Sequence, residues 1–197
     1  MFPRRDDTIP TWPAALALAA AGAIAALILL PGTLDRTPNR FAAVDAGRLY
    51  RGGYPDPAEL RWLANSVGVR SVVSLMHDDS PADRSREEAR TAASLGLQLK
   101  EFAMPGDGRA DFELLDAAAD AIADGMREGP VYLHCSAGKQ RSNAATAAYR
   151  MKHCGWTADQ AIDELKVRFD LDPAAEARLA DHLRAYYEDR IRPRNSR

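Results

Sequence analysis

A cysteine and an arginine separated by five residues follow an apolar run in VYLHCSAGKQRSNAA, residues 131–145. Val131 to Leu133 reads as a short strand, Ser142 and the alanines after it as a helix, and Gly138 between them permits a tight turn. A loop wrapped around a helix N-terminus directs successive backbone N–H groups inward and adds the positive end of the helix dipole, which makes an anion cradle. Arg141 closes the cradle with a planar fork that grips two oxygens of one phosphoryl group. Cys135 at its base feels the positive potential, which favours thiolate over thiol. A thiolate beneath a phosphoryl group attacks phosphorus, and the Ser142 hydroxyl is placed to donate to the sulfur.

Such a loop needs a rigid strand before it and a helix behind it. The chain supplies the two in alternation. Short strands are expected within Gly47–Gly53, Val69–Leu75, Leu97–Met104 and Pro130–Cys135. Helices are expected within Asp56–Gly68, which opens with an aspartate cap and a proline, then Ser85–Gly96, Ala110–Gly129, Ser142–His153, Thr157–Arg168 and Asp172–Arg190. This order predicts an α/β domain with a mainly parallel central sheet flanked by helices, whose ligand sits at the carboxyl ends of strands.

With that context, HCSAGKQRS resembles the HCX5R(S/T) phosphate-binding loop of the cysteine-dependent protein tyrosine and dual-specificity phosphatases. GRLYRGGYPDPAELRWLANSVGVRSVVSL and AAYRMKHCGWTADQAIDEL are similar to the segments before and after the loop in the compact, dual-specificity-like branch, so the likeness spans about residues 44–168. The resemblance implies a protein tyrosine phosphatase-like fold and hydrolysis of phosphoric monoesters through a cysteinyl-phosphate, without cofactor or metal. Cys135 would be the nucleophile, Arg141 the phosphate clamp and Ser142 the donor to sulfur, with His134, Ser136, Ala137, Gly138, Lys139 and Gln140 forming the phosphate loop. The family's general acid is an aspartate on an upstream loop, and AMPGDGRADFELL offers two. Asp107 is preferred because it stands among Pro105, Gly106 and Gly108, whereas Asp111 precedes an apolar run and reads as a helix cap. Asp78 and Asp79 form a third candidate or shape the mouth of the pocket.

Asn143 departs from the family's usual glycine, which predicts looser helix packing and weaker turnover, down to a phosphate-binding pseudophosphatase. Gln140 stands where aspartate is common. Lys139 resembles the lysine of relatives that act on inositol phosphates or phosphoinositides, and reads equally as a solvated lysine at the rim. The expected partner is a phosphorylated protein or a phosphorylated inositol or lipid. His134 is expected to fix the loop rather than carry protons, and Arg51 reads as a surface arginine before a turn in preference to a contributor to the rim of the site. Trp156, Phe169, Tyr186 and Tyr187 read as core. The His-Cys pairs at 134–135 and 153–154 lack the spacing that gathers four zinc ligands. A continuous helix would hold Cys135 and Cys154 roughly 18 Å apart, too far for a disulfide.

A net charge of -2 gives no basic field for nucleic acid, and a monomer is expected. Residues 1–13 form a tail, and the uncharged run Ala14–Leu30 in the segment 14–31 reaches about 25 Å as a helix, near the lower limit for a membrane span. No small-x-small cleavage site follows it, which favours an uncleaved single-pass anchor over a removed signal, with either side of the membrane open to the domain. Residues 32–40 read as a linker, 41–192 as the phosphatase-like domain and 193–197 as a basic tail.

Overall fold

The computed structural model describes residues 37–76, 82–172 and 174–192. Five four-residue strands form one mixed sheet: β1 Ala42–Asp45, β2 Leu49–Gly52, β3 Ser71–Ser74, β4 Gln98–Glu101 and β5 Val131–His134. Their spatial order is β1-β2-β5-β3-β4, antiparallel between β1 and β2 and parallel elsewhere. The expected mainly parallel sheet is therefore present, with one antiparallel edge strand that the sequence reading did not anticipate. β5 lies in the middle, paired on both sides and wholly buried, so its end is the most firmly fixed point from which to launch a loop.

Six α-helices accompany the sheet among the described residues. α1 Pro57–Trp62 begins at a capping box in which Asp56 accepts from the N–H groups of Ala58 and Glu59 while Glu59 accepts from Asp56. It widens into a π-helical turn, Leu63–Val67, and stops at Gly68 with φ +84°. α2 Ala82–Ser94, α3 Phe112–Glu128, α4 Gln140–Cys154, α5 Ala158–Arg168 and α6 Ala177–Tyr186 follow. The expected final helix starts five residues late because Asp172 first turns the chain, accepting from the N–H groups of Ala174 and Ala175.

Strand alternation divides the interior in two. Leu49, Val73, Val131 and Leu133 pack with the apolar sides of α3 to α6. Tyr50, Tyr132 and His134 point the other way, where Phe41 stacks on Tyr50 at 5.4 Å and meets Trp62 edge-on at 5.3 Å. α4 is buried from Ser142 through Met151, which explains its alanines: only small side chains let a helix sit between β5 and its neighbours without a polar face. Among the described residues no helix is long and apolar enough to cross a membrane. The run 14–30, expected to be an anchor, lies outside them.

Candidate active site

The loop from Cys135 to Lys139 leaves the buried end of β5 and enters α4 at Gln140, two residues before the expected helix start. Its carbonyls are held from outside, one after another. Ser136 O accepts from the Tyr54 N–H at 3.1 Å and Ala137 O from Arg40 Nη1 at 3.1 Å. Gly138 O and Lys139 O both accept from Arg51 Nη2, at 2.9 and 3.3 Å. A peptide plane whose carbonyl is fixed outward presents its N–H to the inside, so this is how the cradle is built. Gly138 has φ +66°, and a Cβ there would lie 2.5 Å from the Gly52 carbonyl carbon, so the close approach of β2 to the loop requires glycine.

Arg51 corrects the sequence reading. It is 1% exposed, not a surface arginine, and its guanidinium lies 4.5 Å over the Phe169 ring. Arg51 Nη1 donates to Asn143 Oδ1 at 2.6 Å, so Asn143 does not loosen the start of α4 but supplies the buried acceptor that orients the arginine. Desolvation lowers the Arg51 pKa to about 10, opposed by the negative potential of Cys135 and other neighbours. Arginine in a strand next to a turn gives no local sign of burial; the signal lies in its pairing with an asparagine far along the chain.

Cys135 is 2% exposed. Burial pushes its thiol pKa up, but hydrogen bonds from the Ser142 hydroxyl and from the backbone N–H groups of Ser142 and Lys139, with the charge of Arg141, outweigh it and bring the pKa below the ordinary thiol value. The Ser142 Oγ to Cys135 Sγ distance is 3.2 Å. Arg141 Nη1 donates to Leu75 O at 3.1 Å, a hold from the end of β3 that uses one of its five N–H groups.

His134 is fully buried, and its Nε2 lies 2.6 Å from Oε1 of Glu88 on α2, whose other oxygen accepts from Ser74 Oγ at 3.3 Å. Glu88 escaped the sequence reading because SREEAR looks like a solvated helix face. Removing one member of a buried pair strands the other, so Glu88→Ala is expected to cost about 3 kcal/mol and to lower Tm by roughly 6–12 °C in a domain of this size. Calorimetry checks this, and a fall under about 1 °C would mean that the pair contributes little.

The loop Pro105–Gly108 comes alongside. Gly108, at φ +77°, lies so close to Gln140 that a Cβ would fall 2.7 Å from its carbonyl oxygen. Asp107 lines a cavity of about 640 Å³ with Gln140 and Glu176. The Arg109 backbone N–H, opposed by burial and joined by the Arg109 guanidinium at 2.7 Å, holds the Asp107 carboxyl below its ordinary range. Asp111 caps α3 instead, accepting from the Leu114 N–H at 2.7 Å. Asp78 and Asp79 lie outside the described residues. Lys139 is not simply solvated; it faces Glu176 at 4.0 Å. Cys135 and Cys154 are both free, and Trp156 is half-buried beneath Arg150, 4.7 Å from the ring centroid. Among the described residues no cluster of three or more His, Cys, Asp or Glu is arranged for a metal ion.

The profile of the tyrosine phosphatase family matches residues 36–195. An inositol diphosphatase of Arabidopsis thaliana, DSP4, is 30% identical over 156 residues, 76% of this chain and 72% of that protein. The dual specificity protein phosphatase TpbA of Pseudomonas aeruginosa is 31% identical over 118 residues, 60% of this chain and 50% of that protein. The catalytic core of the PP-IP phosphatase SIW14 of S. cerevisiae superposes with a TM-score of 0.60 at 20% identity, over 81% of this chain and 93% of that one, which shows the shared fold. A thiol at the base of an amide-lined loop closed by arginine, on this fold and with these relatives, places the chain in the tyrosine phosphatase family, as a cysteine-based phosphatase of its dual-specificity-like branch.

Proposed function

We propose that the enzyme hydrolyses phosphoric monoesters of phosphorylated protein side chains through a cysteinyl-phosphate. The observation that carries this reading is Cys135, its pKa depressed, at the base of a loop whose carbonyls from Ser136 to Lys139 are held by Tyr54, Arg40 and Arg51. The phosphoryl oxygens take the inward N–H groups and the Arg141 fork. The Cys135 sulfur lone pair attacks phosphorus as the bond to the leaving oxygen breaks, and protonated Asp107 delivers its proton to that oxygen. The Asp107 carboxylate then takes a proton from water as the water oxygen attacks phosphorus, the P–S bond breaks, and inorganic phosphate leaves. Ser142 stabilises the departing thiolate by its hydrogen bond. Asp107 is paired with Arg109 in the free protein, so a bound phosphate dianion has to raise its proton affinity by repulsion.

A second substrate class, inositol polyphosphates, is favoured by one feature, the cation of Lys139 within the loop, and by the name of the Arabidopsis relative. Phosphate release by the reduced full-length chain from phosphotyrosine and phosphothreonine peptides, phosphoinositides and inositol polyphosphates tests both. Release from the inositol compounds alone would replace the phosphoprotein reading, and release from none would overturn the function.

The active form combines ionised Cys135 with protonated Asp107, and both pKa values are depressed. The pH profile of kcat/KM is therefore expected to be bell-shaped or flat-topped, centred below about pH 6, the midpoint of ordinary aspartate and cysteine values. The alkaline limb reports loss of the Asp107 proton once Cys135 is fully ionised. Asp107→Asn should lower the peak by about 10²- to 10⁴-fold and abolish the alkaline limb. An unchanged profile in the variant removes Asp107 from the mechanism.

A further inference from the structure

The cavity beside the phosphate loop holds a carboxylate that the reaction does not use. Glu176 stands just before α6, its side chain 9% exposed. Oε2 accepts from the Asp172 backbone N–H at 3.1 Å, which ties the carboxylate to the turn between α5 and α6. Oε1 is buried and, among the described residues, accepts no hydrogen bond. It faces Lys139 Nζ across 4.0 Å, a separation that leaves attraction without a hydrogen bond. Asp107, the residue read as proton donor to the leaving oxygen, lines the same cavity, and on that reading the leaving group extends toward it.

Resting on the phosphatase reading, we propose that Glu176 sets the charge selectivity of the leaving-group side, by occupying Lys139 and rejecting a second phosphate. A leaving group with a further phosphate would seek Lys139, the loop's own cation. That phosphate must either draw Lys139 away from Glu176 or sit beside an uncompensated carboxylate, and both oppose binding. A hydroxyl or ammonium group meets no such opposition and gives Oε1 the hydrogen bond it lacks. The preferred substrate class is thus a phosphomonoester whose leaving group carries a hydrogen-bond donor rather than a second phosphate near the scissile bond. Specificity arises here from a repulsive element as much as from an attractive one.

The test is a binding cycle in full-length Cys135→Ser protein, with inorganic phosphate and myo-inositol hexakisphosphate as the two probes at fixed salt. Binding does not depend on turnover, so failure of the phosphatase reading would appear separately, as no phosphate release by the unaltered chain. Glu176→Gln keeps the acceptor for Asp172 and removes the charge. It is expected to tighten hexakisphosphate binding about 10-fold more than phosphate binding, and Glu176→Ala, a second route to the same loss of charge, should do likewise. Adding Lys139→Met to Glu176→Gln should abolish that difference, because the freed lysine is its source. Equal shifts for both probes, or a gain that survives without Lys139, would overturn the proposal.

Discussion

Cys135→Ser is expected to lower kcat by at least about 10⁴-fold while leaving phosphate binding within a few-fold of the unaltered protein. The cradle depresses the pKa of a thiol through the Ser142 and Lys139 donors and the Arg141 charge, which suffices because a thiol begins near the physiological range. An alcohol begins far above it, and the same donors cannot ionise it. The loop amides and Arg141 do not depend on sulfur for their positions, since the carbonyls are held by Tyr54, Arg40 and Arg51. Acid quenching during turnover should therefore trap phosphoryl on the Cys135 peptide of the unaltered chain and none on the serine variant. Retention of more than a few per cent of kcat in the variant, or phosphoryl on another residue, would sink the cysteinyl-phosphate mechanism.

What the sequence disclosed about this site was local. The strand, the cysteine, the glycine turn and the helix are consecutive, so their periods and spacing suffice to place them. Asp111 announced itself as a cap for the same reason: a side-chain oxygen before an apolar run satisfies N–H groups within one turn. The residues that escaped notice act across the fold. Glu88 sits among charged neighbours on α2, and its burial depends on β3 and β5 lying side by side to present Ser74 and His134. β1 is four residues of low β propensity, AAVD, which form a strand only because β2 offers them a free edge. Asn143 is the most instructive case. By comparison with the family's usual glycine it predicts a defect, and only the arrival of Arg51 from β2 turns it into a partner.

Arg51→Met is expected to cost about 3 kcal/mol or more and to lower kcat/KM by over about 100-fold. The guanidinium reaches three acceptors at once: Gly138 O, Lys139 O and Asn143 Oδ1. Methionine refills the volume against Phe169 but strands Gly138 O and Asn143 Oδ1, at about 1–3 kcal/mol for each that water cannot reach. Lys139 O keeps the Asn143 N–H at 2.7 Å, but Gly138 O loses its donor, so its peptide plane is free to rotate and the inward N–H array loses its alignment there. Arg51→Lys should rescue little, because an ammonium cannot span the three acceptors in one plane. Adding Asn143→Ala to Arg51→Met should recover part of the stability, since one stranded acceptor is removed, yet none of the activity, since Gly138 O stays unheld. Thermal unfolding and kcat/KM measured on all three variants beside the unaltered chain separate these roles. Recovery of activity together with stability in the double variant would mean that Arg51 merely supports the fold; recovery of stability alone would assign to Arg51 the alignment of the amides that bind phosphate.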